Sequence, residues 1–193
     1  MDFCERPILA LNYNQAYDWS EMSDSEEERV ELFLTAVKAG VAAVDIQGYT
    51  YDAYSKHNFR NEFAKSGYSF TEGNPKEIVV DPIVIEKQTR LIEQVHSMGA
   101  EVLLSTHPAK SMTGEQLMEL ALFLEKRNPD IIKLVTTCET REELIESFRA
   151  MMLLKKEVKT KIHYHCSGKM GTSSRIVNPM LGAYLFFVPT DIL

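Results

Sequence analysis

The chain has 193 residues, 45% of them hydrophobic, which is the size and apolar content of a single domain with a substantial core. A formal net charge of -7 and a pI near 5.3 argue against a general nucleic-acid binder or a binder of acidic membranes, while leaving room for a local basic pocket for a small anion. Three cysteines, Cys4, Cys138 and Cys166, are an odd number in a chain that needs no staples, and the opening stretch Met1-Asp2-Phe3-Cys4-Glu5-Arg6 lacks a basic region followed by a long apolar one, so a reducing cytoplasm and no membrane are expected.

Pro7 to Asn12 reads as a short buried strand, and a polar, aromatic loop follows from Tyr13 to Ser23. Ser23-Asp24-Ser25-Glu26-Glu27 opens a helix with capping hydroxyls and first-turn acids, and Gly40 closes it. Val41 to Gln47 is the next strand. Residues 48 to 83 interrupt the rhythm with Tyr49, Tyr51, Tyr54, Phe59, Phe63 and Tyr68, then Phe70 and a Gly73-Asn74-Pro75 turn; a lid, an oligomer contact and a local satellite cluster all fit such an insertion. Ile83 to Ser97 is a helix, Glu101 to Thr106 a strand, and Gly114 to Lys126 a helix ended by Asn128-Pro129. Pro129 to Val135 is a strand, and Thr140 to Lys156 a helix opened by a Thr140-x-x-Glu143 capping box. Lys161 to Cys166 is a strand, Ser167 to Ser174 a glycine-containing loop, Arg175 to Leu181 a short helix or turn, and Tyr184 to Val188 a last strand. Strands alternating with helices predict an α/β fold, a parallel sheet or barrel.

In such folds reactive groups gather at the C-terminal ends of the strands. His107, Lys133, the loop Ser167-Gly168-Lys169-Met170-Gly171, and Arg175 all fall there. Lys133 shares a strand face with Ile131 and Val135, so its ammonium either snorkels to water or is desolvated toward the neutral amine that attacks carbonyls. A histidine shuttles protons near neutral pH, and an arginine holds a carboxylate through two parallel hydrogen bonds. Together these groups suit a carbonyl acid.

The same residues carry a family resemblance. Ser105-Thr106-His107, Pro129-Asp130-Ile131-Ile132-Lys133-Leu134, Ser167-Gly168-Lys169-Met170-Gly171-Thr172-Ser173-Ser174-Arg175-Ile176 and Gly182-Ala183-Tyr184-Leu185-Phe186-Phe187 resemble the successive motifs of type I 3-dehydroquinate dehydratase. The likeness runs from about residue 101 to 188, and more loosely from Pro7 to Gln47. It implies a (β/α)₈ barrel of the shikimate pathway, with Lys133 forming a Schiff base on the C3 ketone of 3-dehydroquinate. His107 would then move the C2 proton and help the C1 hydroxyl leave. Arg175 would bind the carboxylate, Asp45 and Ser105 would contribute to substrate binding, and no metal or organic cofactor would be required.

Several family features have no counterpart. Two strands before Pro7, one bearing a glutamate-x-arginine pair, are missing, as are a serine- and glutamine-bearing loop and a final helix after Tyr184 to Val188. Tyr13 and Tyr17 stand near the places of the family's arginine and of the glutamate that orients the histidine, leaving Asp18 as a substitute acid; Gln47 replaces a glutamate. The expectation is therefore a TIM-barrel-like domain over 1–193 with about six of eight strands, an incomplete barrel that is completed by homo-oligomerisation, by a partner chain or by the 48–83 insertion, or that is a fragment of a longer product. A non-catalytic, regulatory binder of small carboxylates and another class I Schiff-base lyase or aldolase remain as alternatives. His163-x-His165, with Cys166 beside it, offers a metal reading, but no nearby carboxylate or further histidine completes the set and no metal is expected. Cys138 reads as a small buried filler and Lys169 as a loop residue.

Overall fold

The computed structural model describes residues 6–12, 25–51, 78–108 and 110–186. Within them the order is β1 (Leu9–Leu11), α1 (Glu26–Lys38), β2 (Ala43–Gln47), α2 (Pro82–Ser97), β3 (Glu101–Thr106), α3 (Gly114–Glu125), β4 (Ile131–Thr137), α4 (Arg141–Glu157), β5 (Lys161–Ser167) and α5 (Gly171–Met180). Each of the first four helix starts answers a local signal. Ser25 with Glu28, Thr113 with Gln116 and Thr140 with Glu143 form reciprocal capping boxes, and Asp81 caps α2 ahead of Pro82 at its first position. Gly40 and Gly99 end α1 and α2 with φ of 94° and 88°, the left-handed turn that glycine adopts without a steric cost.

The strands form one parallel sheet in the order β1-β2-β3-β4-β5, so every strand lies beside its neighbour in sequence. That sequential order with intervening helices is a sector of a (β/α) barrel. Alternation divides each strand between two faces. Val44, Ile46, Val102, Leu104, Ile132, Leu134, Ile162, Tyr164 and Cys166 join Phe33, Leu91, Ile92, Leu117, Ala121, Ala150 and Leu154 of the helices in the main core. The opposite face carries Asp45, Leu103, Ser105, Ile131, Lys133, His163 and His165. Near the N-terminal ends of the strands a hollow of about 210 Å³ is lined by Pro7, Ile8 and Leu9 on one side and Tyr184 and Leu185 on the other, together with Ala43, Leu103 and Ile131. Residues from opposite edges of the sheet meet there, so the sheet is curled into a trough.

Two expectations change. Tyr184 to Val188 is not a strand over its described part, Tyr184–Phe186. One ladder-like bond, from the Tyr184 N–H to the Ile162 carbonyl, is made within that part. The expected loop from Ser167 to Ser174 is shorter, because α5 already begins at Gly171. Cys138 lies in the helix-facing core as a filler. Most of the 48–83 insertion falls outside the described residues. No helix among the described residues is long and apolar enough to cross a membrane.

Candidate active site

Strand register stacks the inner face into layers. Gln47, Ser105, Lys133 and His163 are successive Cα partners across β2 to β5, forming one row. One pleat repeat toward the N-terminal ends lie Asp45, Leu103, Ile131 and Lys161; one toward the C-terminal ends lie Val135 and His165. Lys133 does not snorkel. Its side chain is 7% exposed, and Nζ donates to Asp45 Oδ2 at 2.9 Å, with Asp45 wholly buried. The two are 88 residues apart in sequence. Asp45, expected to contribute to substrate binding, is the counter-ion of the lysine in this structure.

His107 follows the last residue of β3 at the C-terminal rim, half-buried. Burial first, then the Lys133 charge and His165 and His163, hold its pKa well below that of an ordinary histidine, so its ring is neutral at physiological pH. Ser105 is buried between the β2 and β4 neighbours, and its Oγ makes no hydrogen bond among the described residues. Arg175 lies in the first half of α5, half-buried and without an ion pair to a described residue; its charge is felt at both His163 and His165. The structure therefore brings Lys133, His107, Ser105 and Arg175 to one rim of the sheet. Asp18 lies outside the described residues.

The loop between β5 and α5 is shaped by contact. The Met170 N–H donates to the Cys138 carbonyl, the Cys138 N–H to the Ser167 carbonyl, and the Gly171 N–H to the Gly168 carbonyl. A Cβ at Gly171 would fall onto the Cys166 carbonyl. One at Gly168, where φ is 82°, would meet Glu139 Oε1 and, at 2.7 Å, the Cys138 carbonyl. These glycines serve close backbone approach, and the N–H groups of Met170 and Gly171 are occupied within the loop. They do not cradle an anion.

Three arrangements were missed from sequence. The first is the Asp45–Lys133 pair. The second is Arg29, 1% exposed, whose guanidinium donates to both carboxylate oxygens of Glu26, to the Asn12 carbonyl, to Gln47 Oε1 and to Thr50 Oγ1. All five donors are used, tying α1 to the ends of β1 and β2. Its signal was available: Arg29 falls on the same helical stripe as Phe33, where a charged residue needs buried partners. Gln47 supplies one of them in place of a glutamate. The third is a contact between His163 Nε2 and His165 Nδ1 of 2.7 Å, with His163 Nδ1 bonded to the Leu185 carbonyl at 2.8 Å. The alternating histidines signalled a shared face, but among the described residues no third metal-binding side chain joins them.

Comparison with known proteins gives a consistent picture. The family model described as type I 3-dehydroquinase matches residues 71–191, more than half of the chain. The 3-dehydroquinate dehydratases of two Staphylococcus epidermidis strains, RP62A and ATCC 12228, are each 27% identical over 106 residues, covering 54% of this chain and 44% of theirs. Among solved structures, 3-dehydroquinate dehydratase from Geobacillus kaustophilus superposes with a TM-score of 0.68 at 15% identity, covering 94% of this chain and 58% of that one. The Enterococcus faecalis enzyme gives 0.67 at 18%, covering 94% and 62%. The Clostridium difficile type I enzyme, solved with covalently modified comenic acid, gives 0.67 at 15%, covering 94% and 59%. The chain thus spans less than two thirds of the length of these relatives, and about two fifths of the curated ones.

Proposed function

The chain belongs to the type I 3-dehydroquinase family, and from that premise we propose that it is a Schiff-base-forming carbon–oxygen lyase that dehydrates 3-dehydroquinate to 3-dehydroshikimate. The observation that carries the reading is the buried Lys133 on the inner face, with neutral His107 beside it at the C-terminal rim. A second reading, a regulatory binder of small carboxylates, is favoured by the Asp45–Lys133 ion pair, because an ammonium must lose its proton before it attacks.

In the catalytic reading Asp45 Oδ2, already in contact, takes that proton when a ketone enters. The freed lone pair of Nζ attacks the carbonyl carbon, the oxygen is protonated and leaves as water, and an iminium remains. The iminium draws electrons from the adjacent C–H, and the neutral imidazole of His107 removes the C2 proton to give an enamine. The enamine then expels the C1 hydroxyl, which takes the proton from the imidazolium of His107 and departs as water. Hydrolysis of the conjugated iminium returns Lys133. Arg175 pairs with the substrate carboxylate and Ser105 Oγ offers a hydrogen bond on the Lys133 row. The covalently modified ligand in the Clostridium difficile relative supports this reading. The five described strands form a sector of the barrel, and a second copy of the chain covers the edges of that sheet.

Borohydride reduction in the presence of dehydroquinate tests the assignment. The expected result is a mass adduct mapped to Lys133 and loss of turnover by roughly 10³-fold or more in Lys133→Met. Ligand binding without an adduct would establish the regulatory reading instead. Adducts with other keto acids but not with dehydroquinate would move the site to another class I lyase or aldolase.

A further inference from the structure

The row that holds Lys133 begins with Gln47 on β2, followed across the sheet by Ser105 and then by Lys133. Neighbouring strands lie about 4.8 Å apart, so position 47 stands about 10 Å from position 133 on the same face, and both side chains are buried. At that separation, inside a protein, a charge on one residue acts on the protonation of the other through space. The charge carried at 47 therefore matters to Lys133 whether or not the two side chains touch.

Arg29 determines what position 47 has to supply. A guanidinium only donates, so each group around this buried one must offer an oxygen. Gln47 Oε1 accepts from Nη1 at 2.9 Å, Thr50 Oγ1 from Nη2 at 2.9 Å, and the Asn12 carbonyl from Nη1. At 47 an amide and a carboxylate would both serve as that acceptor. The charge of Arg29 is balanced from its own helix: Glu26, three residues earlier on α1, accepts from Nε and Nη2 on its two carboxylate oxygens at 3.0 Å each. This ion pair leaves Arg29 compensated while position 47 stays neutral.

Around Lys133 the described elements place Asp45 on β2, His107 after β3, His163 and His165 on β5, and Arg175 on α5. The three imidazoles are neutral above pH 7 and arginine stays protonated, so none of these changes charge where a lysine titrates. On the α1 side, the N–H of Tyr51 bonds Glu26, and burial, then Glu27 and Glu26, push its phenol above the ordinary tyrosine value. All of these groups are common to wild type and to variants at 47, so a difference between them reports position 47 itself.

We propose that Gln47 and Arg29 are positioning residues of the Lys133 site that act through charge: because Glu26 compensates Arg29 from α1, the row carries a neutral amide at 47, and the Lys133 ammonium gives up its proton at lower pH than it would beside a carboxylate. This rests on the imine-forming reading for its consequence in the reaction, but not for the effect on protonation. The neutral amine is the attacking form, so the amide raises the share of Lys133 ready to meet a ketone at a given pH. A carboxylate about 10 Å away, at an effective dielectric constant of about 20, moves the protonation midpoint upward by about one pH unit, a loss of about tenfold in free amine.

Nitrogen-15 NMR of the lysine side chains in the ligand-free protein, titrated from about pH 7 to about pH 11, measures that midpoint, with Lys133→Met identifying the signal. Gln47→Glu, which keeps an oxygen for Arg29, should raise it by about one unit, and Gln47→Met, uncharged and without the bond, should stay within about 0.3 of wild type. Should Gln47→Glu fail to fold, Glu26→Gln combined with Gln47→Glu keeps the total charge and compensates Arg29 from the row, and its midpoint should also lie above that of wild type. A midpoint equal to wild type in the folded glutamate variant overturns the proposal. So does a rise in Gln47→Met as large as in Gln47→Glu, which would mark packing rather than charge. Borohydride trapping with dehydroquinate near pH 7 should be about tenfold slower in Gln47→Glu and recover as the pH is raised; equal trapping despite a raised midpoint overturns the role in the reaction. Absence of trapping in wild type, with the shifted midpoint intact, removes the imine-forming reading and leaves the charge effect of position 47 in place.

Discussion

Lys133 and Asp45 occupy an environment in which each charge depends on the other. Removing one partner of a buried pair leaves the second uncompensated, which costs about 3 kcal/mol or more, while replacing both by apolar side chains is often nearly neutral. Lys133→Met is therefore expected to lower unfolding stability in urea by about 3 kcal/mol, and Lys133→Met combined with Asp45→Val to recover most of that loss. Failure of the double variant to recover would show that the loss comes from packing around Lys133 rather than from an uncompensated charge. The histidines have a separate signature. His163, His165 and His107 have folded pKa values below the unfolded value of about 6.5, so as pH falls from about 6.5 to about 4 the unfolded chain takes up protons that the folded chain refuses. Stability carried by these groups is complete above pH 6.5 and declines on acidification, by about 1.4 kcal/mol per pH unit for each histidine held fully neutral. Urea midpoints measured between pH 7 and 4.5 should fall, and His165→Phe should flatten the fall by about one proton.

At the scale of elements, the turn from β5 into α5 is set by contact rather than by propensity. Gly168→Ala would strain a positive φ and drive a methyl toward Glu139 and the Cys138 carbonyl, so a loss of about 2 kcal/mol is expected, read by thermal or urea unfolding. An unchanged midpoint would mean that the loop can shift away from β4. Capping was legible in part: Thr140-x-x-Glu143 is visible as a pattern and is present as a reciprocal box, and Thr140→Ala should cost about 1 kcal/mol. The strand expectation fails over Tyr184–Phe186 because aromatic and aliphatic content resembles strand composition, whereas pairing depends on the path the chain takes after α5. Within Tyr184–Phe186 the Tyr184 N–H bonds the Ile162 carbonyl and the Leu185 carbonyl accepts from His163 instead of from a strand neighbour's backbone.

For the whole molecule, the curl of the sheet brings residues near β1 and the stretch after α5 to opposite sides of one hollow, and both sides carry exposed apolar groups. Ile8 and Leu11 are 50% and 54% exposed, and Tyr184 and Phe186 are 52% and 57% exposed. Apolar side chains beside edge strands favour pairing with another chain. A second copy is the expected occupant, so this 22.0 kDa chain should sediment as a dimer or larger species at micromolar concentration. Ile8→Lys combined with Phe186→Lys should shift it toward monomer; a wild-type monomer would exclude this association.

By itself the sequence determined the alternation of strands and helices and the gathering of Lys133, His107 and Arg175 toward one rim. A period of two along strands, caps at helix starts and short connections leave few other ways to bury these apolar faces. It also showed that His163 and His165 share a face, for the same reason of alternation. What the tertiary structure decided is how the polar groups pair: Asp45 with Lys133, Arg29 with Gln47 and Thr50, and the Leu185 carbonyl with His163. Those pairings join positions far apart in the chain, and they depend on strand register and sheet curl, which bring the side chains together only after the backbone has folded. Burial then makes each pairing obligatory, because a polar group removed from water must find its partner inside the protein.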